Sequence, residues 1–164
     1  MRSPAPPRRS RSGIGSGGVE FDTRVKTAIY RRVVEMARAP GVAEIAAALA
    51  GPPEEIRGAY RRLFARRVLF LEGDGETIRM APPFSGVPTQ HRVRVGDRTY
   101  FANCSWDSFG IPAALHAEGE VHSRCEQTLE PIRLRVGREG PETGPVVAHF
   151  AVPAAKWWAD LVYT

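Results

Sequence analysis

The chain of 164 residues contains only two cysteines, Cys104 and Cys125, and no apolar run near the roughly 20 residues that cross a bilayer. Two cysteines do not make a disulfide framework, and although a single bridge between them fits the sequence, we expect free thiols in a reducing compartment. No signal-peptide core follows the N-terminus. These absences predict a cytoplasmic protein without a membrane partner.

The chain also lacks the common patterns for cofactors and structural metals. Its 16 glycines form neither G-x-G-x-x-G nor a P-loop. A zinc site would need His122 beside Cys125, a pair three residues apart that lacks its other half. The remaining histidines do not show a compact ligand spacing; they are His91, His116 and His149. We therefore expect no resident cofactor and no structural zinc.

The net charge of +5 is concentrated in one segment. Residues 1–18 hold four arginines and no acidic residue, so they contribute +4 and leave +1 for the remaining 146 residues. This segment is rich in Pro, Ser and Gly and has few apolar residues to bury, which predicts a disordered basic tail. The folded part, being nearly neutral, has no strong electrostatic footprint for nucleic acid.

Three helices are predicted after the tail. The first begins at a capping Asp22 or Thr23, and its apolar positions recur every three or four residues at Val25, Ile29, Val33 and Met36. The second covers residues 42–49. The third covers residues 53–67, begins with a first-turn proline, and turns four apolar side chains inward: Ile56, Tyr60, Leu63 and Phe64.

A β-hairpin is predicted next, with strands at 68–71 and 77–80 around a Gly-Asp-Gly turn. Three helices and a hairpin indicate a winged-helix-like subdomain over residues 19–81, similar to the DNA-reading module of many bacterial regulators. Five arginines of the third helix are candidates for phosphate contacts: Arg57, Arg61, Arg62, Arg66 and Arg67. The alternative, which the near-neutral charge favours, is a solvated face balanced by Glu44, Glu54, Glu55 and Glu72, so DNA binding is the weaker interpretation.

The second half of the chain has the character of a β-rich subdomain. Residues 82–90 open with Pro-Pro-Phe-Ser-Gly and are predicted to form a linker. Short alternating segments then predict strands at 91–95, 99–103, 120–123, 132–136 and 146–152. The fold class is therefore α+β, in which the winged-helix-like subdomain precedes a mostly antiparallel β subdomain over residues 91–164.

One short helix in this subdomain is expected to carry the chemistry. Cys104 and Asp107 are three residues apart within an otherwise apolar stretch. If a helix begins here, both side chains lie on one face, and the helix dipole favours the thiolate of Cys104. The alternative is a buried, inert cysteine beside a capping aspartate.

Four segments of the chain closely resemble the bacterial alkylmercury (organomercurial) lyases, and the resemblance spans about residues 22–164. These segments are 83–85 (Pro-Phe-Ser), 100–113 (Tyr-Phe-Ala-Asn-Cys-Ser-Trp-Asp-Ser-Phe-Gly-Ile-Pro-Ala), 123–125 (Ser-Arg-Cys) and 152–158 (Val-Pro-Ala-Ala-Lys-Trp-Trp). The resemblance implies protonolysis of a carbon–mercury bond to a hydrocarbon and Hg(II), with Cys104 as the catalytic cysteine, Asp107 as the catalytic aspartate and Cys125 as a structural cysteine. It also implies that the N-terminal subdomain is a scaffold.

The chemistry suits these residue types, since mercury is a soft metal that prefers thiolate and a nearby carboxyl group can carry a proton. The implied partners are a small organomercurial substrate, a small thiol for product release and a mercury reductase that accepts Hg(II). No cofactor is implied beyond the mercury of the substrate.

The chain departs from the family at one point. The family uses a second catalytic cysteine near its C-terminus, and no cysteine of this chain stands at a matching position. We therefore expect a C-terminally truncated or divergent member, in which Cys125 either replaces the missing thiol or, more in keeping with the usual burial of cysteine, is structural. The alternative functions are a mercury-binding relative without turnover and a winged-helix regulator.

Overall fold

The computed structural model describes residues 16–150 and 152–159, and within them it confirms the predicted α+β class. The helices are α1 (Ser16–Met36), α2 (Val42–Leu49), α3 (Pro53–Ala65) and α4 (Ser105–Leu115), with a 3₁₀ helix at Ala154–Ala159. The strands are β1 (Phe70–Leu71), β2 (Ile78–Ala81), β3 (Phe84–Ser85), β4 (Arg92–Val95), β5 (Arg98–Phe101), β6 (Gly119–Arg124), β7 (Pro131–Gly137) and β8 (Gly140–Pro141). None of the described helices is both long and apolar enough to cross a membrane.

Helix α1 begins earlier than the sequence predicts. The expected start at Asp22 or Thr23 is wrong, because the helix already includes residues 16–18, which were assigned to the basic tail. Asp22 is fully buried inside the helix and accepts hydrogen bonds from Arg62 of α3, at 2.8 Å from Nη2 and 3.0 Å from Nε. A carboxylate satisfied by another helix is not needed as a cap. The rest of the predicted tail lies outside the described residues.

The ion pair between Asp22 and Arg62 yields a stability prediction. Replacing Arg62 with leucine leaves a buried carboxylate whose remaining cationic neighbour is Arg66, at 3.9 Å. We expect this to cost about 2–3 kcal/mol, the usual range for a lost charged hydrogen bond with a buried partner. The measurement is the urea midpoint. The exposed neighbour Arg61, replaced by leucine, is the matched control and should change stability by less than about 0.5 kcal/mol. Equal midpoints for the two variants would contradict the prediction.

Several arginines of α3 are occupied by carboxylates. Arg57 pairs with Glu76 at 2.7 Å and with Glu54 at 3.2 Å, and both Arg62 and Arg66 face Asp22. Pairing with carboxylates reduces the positive charge that this helix presents, in keeping with the interpretation of a solvated, balanced face. That DNA is not a partner stays a prediction.

Phe64 is not an inward residue, contrary to the prediction. It is 46% exposed and meets Phe70 edge to face at 6.3 Å, whereas the adjacent Leu63 is fully buried. Phe64 points about 100° around the helix axis from Leu63, which places it at the edge of the buried face of α3.

The predicted hairpin forms, and a third strand extends it. Strand β1 pairs with β2, and β2 pairs with β3 through Met80 opposite Ser85 and Ala81 opposite Phe84. The prediction of a linker over residues 82–90 is therefore wrong at residues 84–85. Phe84 is buried between Tyr30 of α1 and Tyr100 of β5, with ring centroids at 6.4 and 5.5 Å. Burial of this aromatic ring draws the segment into the core and joins the two halves of the chain.

The larger sheet is antiparallel, with strand order β5-β4-β6-β7-β8. The predicted strand at 146–152 is wrong over residues 146–150, which form no strand; residue 151 lies outside the described ranges. Strand β8 occupies the free edge of β7, and Val147 is left 89% exposed. An apolar segment without a neighbouring edge has no backbone partners with which to form a ladder.

Helix α4 lies against β4 and β6 of the larger sheet. Ile111 of the helix is buried, together with Val93 and Val121 of these strands. A Cβ added to Gly119 of β6 would lie 2.8 Å from Cγ of Pro112, so the glycine permits the helix to approach the sheet closely. This packing fixes the N-terminus of α4 beside the junction between the helices and the sheet.

Candidate functional site

Cys104 is the N-cap residue of α4, in extended backbone conformation. The chain arrives from β5 through Ala102, which is buried and bridges to Phe84 of the small sheet. The backbone N–H and the hydroxyl of the buried Ser108 both donate to the carbonyl of Cys104 at 3.2 Å, which closes the first turn. The thiol is therefore held on a rigid helix terminus and not on a free loop.

The structure brings the two predicted catalytic side chains together. Asp107 lies in the first turn of α4, close enough to Cys104 for each side chain to affect the pKa of the other. Both residues are partly buried. A thiol and a carboxyl group this close can exchange a proton and can both face one small ligand.

Burial shifts the pKa of both groups upward. Burial raises the pKa of the Cys104 thiol, and this effect outweighs the N–H groups of Asp107 and Trp106, which favour the thiolate without completing a capping hydrogen bond. The helix terminus thus favours the thiolate of Cys104 as expected, but desolvation opposes it and is the larger effect. Burial also raises the pKa of Asp107, against the hydrogen bonds from Asn103 and Cys104.

Asn103 contacts Asp107, and Tyr30 lies near enough to be affected by its charge. Nδ2 of Asn103 donates to Oδ2 of Asp107 at 2.9 Å and to the carbonyl of Pro83 at 3.3 Å. Tyr30 of α1 donates its hydroxyl hydrogen to the carbonyl of Pro82 at 2.9 Å, and burial, with the charge of Asp107, raises its pKa. The sequence reasoning missed both. Asn103 directly precedes Cys104 and could have been found as a neighbour, whereas no local pattern singles out Tyr30.

An aromatic cluster borders the same turn of α4. Trp106, which is 58% exposed, meets Phe150 edge to face at 6.2 Å, and Phe150 contacts Trp157 at 5.1 Å. Nε1 of Trp157 donates to the carbonyl of Val152 at 2.7 Å. Through Phe150, these ring contacts hold the C-terminal segment against α4. The side chain of Trp158 lies outside the described residues.

Cys125 occupies a different environment. It follows β6 in the turn before β7, is half-exposed, and is free, as is Cys104, so the two form no disulfide. Hydrogen bonds from the Thr128 hydroxyl and from the N–H groups of Thr128 and Gln127 lower the pKa of the Cys125 thiol. The prediction of a buried Cys125 is therefore wrong, because the turn supplies polar donors where an apolar packing site was expected.

Over the described part of the chain, no group of three His, Cys, Asp or Glu side chains could hold a metal ion. His122 lies 2.9 Å from Glu120, and Nδ1 of His91 lies 2.8 Å from Oγ of Ser123. Neither histidine is paired with Cys125, as the considered zinc half-site would require.

Comparisons with known proteins bear on the family and the fold of the chain. Residues 84–164 match the MerB family, described as alkylmercury lyase. Among solved structures, the chain is similar to a crystal structure of the mercury-bound form of MerB2, with a TM-score of 0.58 and 24% sequence identity; this match covers 76% of the chain and 59% of that protein, and it shows the fold. No curated protein matches the chain. The predicted resemblance to the alkylmercury lyases is thus confirmed by the family match over residues 84–164, which include Cys104, Asp107 and Cys125.

Proposed function

We propose that the protein is an organomercurial lyase that cleaves carbon–mercury bonds by protonolysis. The observation that carries the proposal is the placement of Cys104 and Asp107 near each other in the first turn of α4, within the part of the chain that matches the family. A thiol supplies the soft ligand that mercury prefers, and a carboxyl group with a raised pKa can hold a proton beside it.

Substrate binding is the first step. The sulfur of Cys104 forms a bond to the mercury of R–Hg–X, the weakly bound ligand X leaves as an anion, and the thiol proton passes to the Asp107 carboxylate. The raised pKa of the thiol keeps the proton on sulfur until mercury arrives, and the raised pKa of Asp107 makes the carboxylate a competent acceptor.

Cleavage is the second step. The carbon–mercury bond breaks, and its electron pair takes the proton from Asp107 to form the carbon–hydrogen bond of the hydrocarbon. Asp107 returns to the carboxylate, and mercury remains on Cys104 as Hg(II), so no electrons are exchanged with an outside reagent. Thiolate donation from sulfur increases the electron density on the carbon and favours its protonation.

Product release needs a further soft ligand. Two molecules of a small thiol can take Hg(II) from Cys104: each forms one mercury–sulfur bond, the bond from mercury to Cys104 breaks, one thiol proton returns to Cys104 and the other is released. A mercury reductase is the kind of partner that would accept the product. The protein itself contributes no cofactor in this scheme. A second candidate is a mercury-binding protein without turnover, which would hold the metal on the same Cys104 thiol.

The test is hydrocarbon release by the full chain. Phenylmercury or methylmercury is supplied with excess small thiol, and benzene or methane is measured together with Hg(II). One hydrocarbon per Hg(II), over several turnovers, supports the lyase. Mercury that stays bound through Cys104 without hydrocarbon release would instead support the binding protein and overturn the proposed activity.

A further inference from the structure

We propose that Asn103 is a positioning residue, which holds the Asp107 carboxyl group so that the transferred proton resides on Oδ1. This inference rests on the proposed function, in which Asp107 carries the proton.

The Asn103 amide is fixed by two acceptors. Nδ2 of Asn103 donates one hydrogen bond to the carbonyl of Pro83 at 3.3 Å and another to Oδ2 of Asp107 at 2.9 Å. Because both partners are acceptors, the side chain must present its NH₂ group to them, and a flipped amide would set oxygen against oxygen. The orientation of Asn103 therefore follows from its surroundings.

The anchor for this amide belongs to the core. Pro83 directly precedes β3, and the neighbouring carbonyl of Pro82 accepts the hydroxyl hydrogen of Tyr30 at 2.9 Å. A Cβ added to Gly110 of α4 would lie 3.1 Å from Cβ of Pro83, so the same dipeptide also lies against the catalytic helix. Because Asn103 is bonded to this packed segment, it holds the Asp107 side chain in a fixed position relative to the core.

The orientation leaves one polar atom without a partner. Oδ1 of Asn103 is buried and accepts no hydrogen bond. A buried acceptor without a donor disfavours folding, so stability alone does not account for an asparagine here. The cost is consistent with a residue whose NH₂ group is needed at Asp107.

The hydrogen bond has two consequences for the proton. An N–H donor directed at Oδ2 disfavours protonation of that oxygen, so Oδ1 is the favoured carrier. The bond also lowers the pKa of Asp107 against the larger effect of burial. Asn103 therefore keeps the carboxyl group able to release a proton as well as to hold one.

The test uses Asn103→Leu, which is close in size and has no donor, with Asn103→Ala as a second variant in case leucine prevents folding. Each variant, in a Cys125→Ala background, is loaded with phenylmercury at alkaline pH, where Asp107 is ionised, and benzene release is followed after a jump to lower pH. A ¹³C NMR titration of Asp107 gives its pKa directly.

We expect mercury loading to be unchanged and the single-turnover rate to fall about 10- to 100-fold, the usual effect of removing a group that orients a functional side chain. The Asp107 pKa and the alkaline limb of the rate should both move to higher pH, because the lost N–H favoured the carboxylate. The control is Thr89→Val, which removes a nearby hydrogen bond of 2.7 Å to the carbonyl of Ala102 and leaves Asn103 in place. It should not shift the pKa.

Two results would overturn the inference. The first is an Asn103 variant in which the Asp107 pKa and the alkaline limb of the rate profile match those of the unmodified chain. The second is a loss of rate equal to that of Thr89→Val without a shift in the Asp107 pKa, which would give Asn103 a structural role only. If the unmodified chain releases no benzene, the lyase proposal fails, and the ¹³C titration still decides whether Asn103 controls the Asp107 carboxyl group.

Discussion

Replacing Cys104 with alanine is expected to reduce hydrocarbon release from phenylmercury to the background rate, a loss of at least about 10³-fold, or about 4 kcal/mol in the activation barrier. The sulfur of Cys104 is the soft ligand that contacts Asp107, so its removal takes away both the mercury bond and the source of the transferred proton. The measurement is benzene release in excess small thiol, together with mercury retained after desalting.

Cys125 provides the matched control, because Cys125→Ala removes the other thiol of the chain. Its half-exposed thiol has a lowered pKa and can bind mercury without being catalytic, so mercury retention is read in the Cys125→Ala background. We expect Cys125→Ala to keep benzene release and the double variant to retain no mercury. Turnover that survives in Cys104→Ala, or disappears in Cys125→Ala, would contradict the assignment of the catalytic thiol.

Local sequence patterns were sufficient to predict most of the helices and strands. Apolar spacing predicted α2 and α3 closely, and alternation predicted strands that overlap β4 to β7, because one face of each is buried. The separation of Cys104 and Asp107 by three residues predicted their contact for the same reason, since a helix determines which side chains share a face. These features depend on residues that are neighbours in the sequence.

The remaining features depend on residues that are distant in the sequence. Phe84 lies in a segment whose prolines and glycine indicate a linker, yet rings from α1 and β5 bury it. Tyr30 reaches the site through the carbonyl of Pro82, 52 residues later in the chain. The usual burial of cysteine predicted a buried Cys125, whereas the hydrogen-bond donors of its own turn give the thiol a polar environment. Tertiary contacts override local propensity at each of these places.

Replacing Asp107 with asparagine is expected to separate mercury binding from cleavage. The thiol of Cys104 remains, so mercury should still bind, whereas an amide cannot deliver a proton to the leaving carbon; hydrocarbon release should fall about 10²- to 10⁴-fold. The measurement is benzene release and retained mercury on the same sample. Asp97→Asn is the matched control, since it makes the same chemical change at an exposed turn between β4 and β5. Equal release by the two variants would exclude Asp107 as the proton carrier.

The same substitution should also increase stability, and the sign follows from the pKa. Burial raises the pKa of Asp107 in the folded protein above its ordinary value, so the folded state binds the proton more tightly than the unfolded state. The stabilisation from that proton is complete below the unfolded pKa and is lost as the pH rises through the folded pKa. Asparagine carries no charge at any pH, so Asp107→Asn should unfold at a higher urea concentration than the unmodified chain at neutral pH. The difference in urea midpoint should disappear at a pH below the ordinary pKa range of aspartate. If Asp107→Asn has the same urea midpoint as the unmodified chain at neutral pH, the Asp107 carboxylate does not destabilise the folded state. The raised pKa on which proton transfer depends would then be refuted.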